Sequence, residues 1–207
     1  MYELHVISDG IMPLTRFAEI AAEIHPYVNT FHIREMERSA LDIWEAVQQL
    51  LIYGVAPEKI TVNDRLDIAW ASGIGGVHLT SHSIPMKSVV DLPHGLRLGR
   101  SVHTVEEARR LAVDGADYLF YGHVYNSTSK PSLPPRGLSK LQEVTSAVSI
   151  PVMAIGGIGV QQIDEVLHHG AHGVAVISSI LHVDDPVQAA QAIAHKLHER
   201  RYSHARE

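Results

Sequence analysis

The chain has no cysteine. Disulfides, thiolate metal sites and cysteine nucleophiles are therefore excluded. It also has no basic stripe or block. Lys and Arg number 17 against 23 Asp and Glu, a formal net charge of −6, so nucleic acid is not an expected partner. Nothing resembles a targeting segment, because Met1 leads almost directly into a strand-like stretch without a basic region followed by an apolar one. The longest uncharged run, residues 144–163, is broken by Pro151, Gly156, Gly157 and Gly159. A membrane span needs about 20 predominantly apolar residues in one helix. The run reads instead as helix end, buried strand, glycine turn and next helix. No membrane partner is expected, and the cytoplasm is the default location.

What the chain does have is rhythm. Its 207 residues, 45% of them hydrophobic, suit one globular domain, residues 1–207. Short apolar runs alternate with segments of helical period throughout. Strands are expected at residues 4–8, 28–34, 59–63, 75–79, 96–101, 117–121, 150–155 and 173–177. Between them, Phe17, Ile20, Ala21 and Ile24 recur at helical spacing, as do Ile43, Val47, Leu50 and Leu51. Thr104 and Glu107 form a capping-box pattern. The last helix is expected from Asp184 or Asp185, with Pro186 suited to its first position. Residues 126–137, carrying Pro131, Pro134, Pro135 and Gly137, break the rhythm and read as a long loop. Eight β-then-α units imply parallel strands with crossover helices, an α/β chain folded as a single (β/α)8 TIM barrel. An open doubly wound sheet is the alternative.

Two stretches point to phosphate. Ala154-Ile155-Gly156-Gly157-Ile158 and Val176-Ile177-Ser178-Ser179-Ile180 follow the last two strands. Loops at those places in barrels frequently hold phosphate, with a short extra helix. Gly156 and Gly157 let an anion approach the backbone, and Ser178 and Ser179 open the extra helix. A tight turn with serine caps is the plainer reading of either half alone. His32, His78, His103 and His123 fall near the C-terminal ends of strands, the rim where barrel enzymes keep their chemistry. Histidine titrates near neutrality and suits proton transfer. No His-x-His or H-E-x-x-H spacing supports a metal site among them. The later histidines, His168, His169, His172, His195, His198 and His204, are expected to be solvated. Asp64 can cap a helix or hold Mg2+. Arg34 can meet a carboxylate or phosphate, or pair with Glu35 or Asp64. Lys130, in the long loop, can swing onto an anion.

Several motifs in order carry a family resemblance along essentially the whole chain. They are His32-Ile33-Arg34-Glu35, Val62-Asn63-Asp64-Arg65, Gly76-Val77-His78-Leu79, Gly99-Arg100-Ser101-Val102-His103, Ala116-Asp117-Tyr118, Gly122-His123-Val124-Tyr125, Ala154-Ile155-Gly156-Gly157 and Gly173-Val174-Ala175-Val176. Together they resemble the thiamin phosphate synthase superfamily of barrels. The synthases carry Gln-x-Arg-x-Lys after strand two, where this chain has His32, Arg34 and Met36. They hold Mg2+ with two aspartates, of which Asp64 matches the first and the second falls near Ser83. Gly122-His123 stands where they have Gly-Pro. The resemblance therefore points to the thiazole tautomerase branch, the TenI type. It implies isomerisation of a carboxylated dihydrothiazole phosphate to the aromatic carboxythiazole phosphate, with His123 moving the proton and no metal or redox cofactor. The implied partner is a small phosphorylated thiazole on Gly156, Gly157, Ser178 and Ser179. Arg34 or Lys130 would meet its carboxylate, with Ser101 and His103 in support. The alternatives are a Mg-dependent thiamin phosphate synthase, joining a pyrimidine pyrophosphate to a thiazole phosphate, and a non-catalytic thiazole-phosphate binder. A homo-oligomer is compatible with the fold.

Overall fold

The computed structural model describes residues 2–90, 95–127 and 133–204, with side chains to residue 199. Lys130 and the side chain of His204 lie outside the described residues. Eight strands run in chain order: β1 (Glu3–Ile7), β2 (Thr30–Ile33), β3 (Ile60–Asn63), β4 (Gly76–Leu79), β5 (Arg97–Val102), β6 (Tyr118–Gly122), β7 (Val152–Ile155) and β8 (Gly173–Val176). Each pairs in parallel with its sequence neighbours, and β1 pairs with β8, so the sheet closes into a barrel. The chain is a (β/α)8 TIM barrel, as its rhythm predicts. The open-sheet alternative falls because register partners such as His5 and Ala175 join the two ends.

The helices form where apolar spacing and caps direct them. α1 (Leu14–Ile24) buries Phe17, Ile20, Ala21 and Ile24 on one face. α2 (Ala40–Ile52) starts with a reciprocal box between Ser39 and Asp42. α3 (Leu66–Ser72) ends at Gly73 in a left-handed conformation. α4 (Met86–Val90) is short. At α5 (Val105–Val113), Thr104 accepts from the Glu107 amide, but the Glu107 carboxylate takes the His103 amide, one residue earlier than a true box requires. α6 (Leu138–Thr145) and α7 (Ile163–His168) follow. α8 (Ser178–Leu181) is the short extra helix expected after β8. α9 (Pro186–His204) opens on Pro186, with the Asp185 carboxylate accepting the Gln188 amide at 2.9 Å. Among the described residues no helix is long and apolar enough to cross a membrane.

Two apolar clusters hold the fold. The larger lies between strands and helices. The smaller, of Ile7, Tyr118, Phe120, Met153 and Ala175, lies inside the barrel. Side chains two apart on a strand share a face. The interior of β1 to β5 is thereby lined with polar groups, including Glu3, His5, His32, His78, Arg97 and Ser101. Gly99 makes room among them, because a Cβ there would lie 2.2 Å from the Tyr118 ring and 2.5 Å from His78 Nδ1.

Candidate active site at the barrel mouth

The loops after β7 and β8 form one wall of the mouth. Gly156 and Gly157 take φ of +99° and +68°, a region L side chains rarely enter. A Cβ on Gly156 would meet His123 Cβ at 2.3 Å, and one on Gly157 would meet the Asn126 carbonyl at 2.2 Å. The glycines thus let the loop after β6 lie directly against the loop after β7. Val124 and Tyr125 amides bond the Ile155 and Gly156 carbonyls at 2.9 and 3.0 Å. Ser178 opens α8; the Ile180 and Leu181 amides bond the Ile177 carbonyl at 3.1 and 2.9 Å, so only the Ser178 and Ser179 amides lack a partner within the helix. The Ser179 hydroxyl donates to the Ile158 carbonyl at 2.5 Å, tying the two loops together.

The opposite wall carries the charges. The Arg34 amide bonds Ser8 Oγ at 2.8 Å, and its guanidinium reaches Met36 Sδ at 3.4 Å. Among the described residues it forms no ion pair; Glu35 faces Arg38 instead, at 3.8 Å. Asp64 is exposed and has φ of +63°. It does not cap α3, whose N-cap residue is Arg65 without a side-chain bond. Its Oδ1 instead accepts from the Thr80 amide (3.2 Å), the Thr80 hydroxyl (3.1 Å) and the Ser83 hydroxyl. Ser83 therefore faces Asp64, as the family resemblance implied. The described residues give Oδ2 no partner.

The four rim histidines do not converge. His32 and His78 are buried inside the barrel, at 0% and 1% exposure. His32 stacks on His5, ring centroids 5.1 Å apart, and its Nε2 lies 2.9 Å from His5 Nδ1. His5 Nε2 meets Glu3 at 2.8 Å, and Arg97 grips the same carboxylate through two nitrogens at 2.8 and 3.0 Å. His78 lies 2.9 Å from Ser101 Oγ and 3.3 Å from the Tyr118 hydroxyl. Burial pushes all three imidazoles below their ordinary range, His78 to about 3. Burial alone would raise the Glu3 carboxyl, but bonds from His5 and Arg97 outweigh it and bring it to about 2. His103 is held through its backbone, donating to Glu107 and accepting from Arg136. His123 follows a cis Gly122–His123 peptide, is buried, and spends Nε2 on the Leu133 carbonyl at 3.1 Å. Glu3, His5 and Arg97 were not anticipated, and Tyr118 entered only as part of the Ala116-Asp117-Tyr118 motif. The Glu3-x-His5 alternation inside a strand was the available signal.

Residues 4–180 match the family model described as thiamine monophosphate synthase (TMP-TENI). The chain belongs to the TMP-TENI family. A thiamine-phosphate synthase of Chlorobium phaeovibrioides is 43% identical over 95% of this chain and 94% of its own. One of Anaeromyxobacter dehalogenans is 37% identical over 90% and 84%. The structure of a thiamine phosphate pyrophosphorylase from Pyrococcus furiosus superposes with a TM-score of 0.81 at 27% identity, covering 96% of both chains. These similarities overturn the tautomerase expectation. TMP-TENI relatives matched along most of the chain are named thiamine-phosphate synthases. One loop residue, His123, does not outweigh that agreement, and its Nε2 already serves its own loop. The proton-carrying role expected of His123 is withdrawn with the isomerisation.

Proposed function

We propose that this barrel is a thiamine-phosphate synthase, a transferase that joins a pyrimidine pyrophosphate to a thiazole phosphate. The observation carrying the reading is the kinship to proteins of that name, one of them 43% identical over 95% of the chain. The mouth supports it. The reaction breaks a carbon–oxygen bond, forms a carbon–nitrogen bond and releases pyrophosphate, so two phosphorylated groups must be held close together. The thiazole phosphate sits on the Gly156 and Gly157 backbone and the α8 amides, with Ser178 and Ser179 at its edge. Arg34, unpaired among the described residues, meets the leaving pyrophosphate with its fork of donors. Ser101, bonded to His78, offers a polar contact on the β5 side of the cavity. His103 supports the β5 end through its backbone. Lys130 is proposed as a second cation for the substrate.

The magnesium question turns on Asp64. Its Oδ1 is saturated by three donors, and Ser83 supplies a hydroxyl where a second carboxylate would stand. Among the described residues no group of three or more His, Asp or Glu side chains is arranged to hold a metal. Magnesium typically takes one or two carboxylates and completes its shell with water and substrate phosphates. This set would fit an ion that arrives on pyrophosphate, with the Asp64 carboxylate the residue that would help to hold it. Such an ion would screen the charge of the departing pyrophosphate.

The test is direct. Purified protein, both substrates and Mg2+ are expected to yield thiamine phosphate, detected after oxidation to its fluorescent thiochrome. No product above the protein-free control, with thiazole phosphate still bound, would replace the transferase reading with that of a binder.

A further inference from the structure

Glu3 lies at the end of the barrel away from the mouth, yet a continuous line of bonds joins it to the site's floor. Its carboxylate meets His5 Nε2 at 2.8 Å, and His5 Nδ1 meets His32 Nε2 at 2.9 Å. The protons on this line are fixed by elimination. Arg97 grips Glu3 through two nitrogens, so Glu3 is ionised and only accepts. His5 Nε2 must then carry a proton. A neutral His5 has a bare Nδ1, so His32 Nε2 must supply the proton between the rings. A neutral His32 is left with a bare Nδ1. Neutrality of both rings follows from their burial among Tyr118, Phe120 and His78, with Arg97 the nearby cation.

His32 Nδ1 is buried without a hydrogen-bond partner, and so is Oδ1 of Asn63, whose side chain interacts with His32. Two bare acceptors cannot satisfy each other. The pair is satisfied when the Asn63 amide presents its NH2 to His32.

We propose that Glu3 is a positioning residue: through His5 it fixes His32 as the Nε2–H tautomer, and His32 in turn orients the Asn63 amide with its oxygen towards the mouth. That oxygen accepts from a neutral N–H or O–H donor on a ligand. The ligand half of the proposal rests on the synthase reading; the tautomer half does not.

Nitrogen-15 NMR of histidine-labelled protein tests it. In the wild type at neutral pH, His5 and His32 are expected as Nε2–H tautomers. Glu3→Gln, which removes the charge that dictates the order, is expected to give a mixture at His32. It should also raise the KM of one substrate about threefold to tenfold, the worth of one hydrogen bond, with kcat nearly unchanged. Glu3→Asp is expected to restore the single tautomer. A proton on His32 Nδ1 in the wild type, or an unchanged tautomer in Glu3→Gln, overturns the relay. The wild-type spectrum alone decides the tautomer if the variants do not fold. Expected tautomers without thiamine phosphate synthesis would leave the relay standing and remove the synthase reading.

Discussion

The two sides of the barrel interior are built from different materials. Strands β1 to β5 supply Glu3, His5, His32 and Arg97, bonded in one line, and His78 and Ser101, bonded to each other. Strands β6 to β8 supply Phe120, Met153, Ala175 and the neighbouring Ile155, with the Tyr118 hydroxyl their one polar contribution among these, 3.3 Å from His78. The difference shows how a packed barrel keeps polar groups inside. The apolar side excludes water and lowers the local dielectric, which strengthens each bond on the polar side and penalises any unpaired charge. Phe120 is where the two meet, its ring 4.3 Å from His78 and 5.0 Å from His32. The polar side survives because its one carboxylate has an arginine partner and its histidines stay neutral.

The largest effect should come from breaking that meeting point. Phe120→Ala is expected to cost about 3–5 kcal/mol, as a cavity opens beside the rings of His5, His32, His78 and Tyr118; urea unfolding measures it. Arg97→Met leaves the Glu3 carboxylate without its arginine. The loss should be about 2 kcal/mol, below the usual figure for a fully buried pair because the Arg97 side chain is 38% exposed. At the mouth, Arg34→Ala is expected to raise the KM for the pyrophosphate substrate about tenfold or more, the loss of a charge-assisted bond. Steady-state kinetics with each substrate varied in turn would localise the effect.

Acid separates the two kinds of polar group. His5, His32 and His78 titrate below their ordinary value of 6.5 when folded, so the unfolded chain takes up protons the barrel refuses. Their stabilisation is complete above 6.5 and declines as pH falls, for His78 until about 3. Each contributes a slope of up to about 1.4 kcal/mol per pH unit. Glu3 differs: its contribution is lost only as pH drops from 4.5 towards about 2. Unfolding curves for wild type and His78→Gln between pH 6.5 and 5 should therefore differ by about one histidine's slope. The smallest effect is expected at Asp64. Ser83→Asp adds a second carboxylate, and the Mg2+ needed for half-maximal synthesis should fall by about tenfold, roughly 1.4 kcal/mol.

Much of this architecture was legible in the sequence. Eight apolar runs separated by helical spacing fixed strand number and order. Pro186 and the serines at 178 and 179 marked two helix starts. The place of Gly156, Gly157, Ser178 and Ser179 on one wall of the mouth was readable because glycines and serines cluster after the last two strands. The polar interior was not. Strands of four to six residues carry only two or three inward positions, so Glu3-x-His5 or Thr30-x-His32 shows too little alternation to stand out. A one-residue uncertainty at a strand end also reverses which face a side chain takes. His32 and His78 were thus read as rim residues when both point inward. The motif at His123 was visible, but a single position said less about activity than the whole chain's kinship.

The seat that Gly156 and Gly157 make for residues 123–126 also has a consequence for how such a protein diversifies. Because a Cβ at either glycine would strike the neighbouring loop, the two loops cannot be varied independently. A new side chain at 156 calls for a rebuilt backbone at 123, and a new sixth loop inherits the requirement for glycine in the seventh. Libraries that randomise one loop alone will return mostly unfolded or unchanged proteins; those that exchange both as a cassette can reach new chemistry.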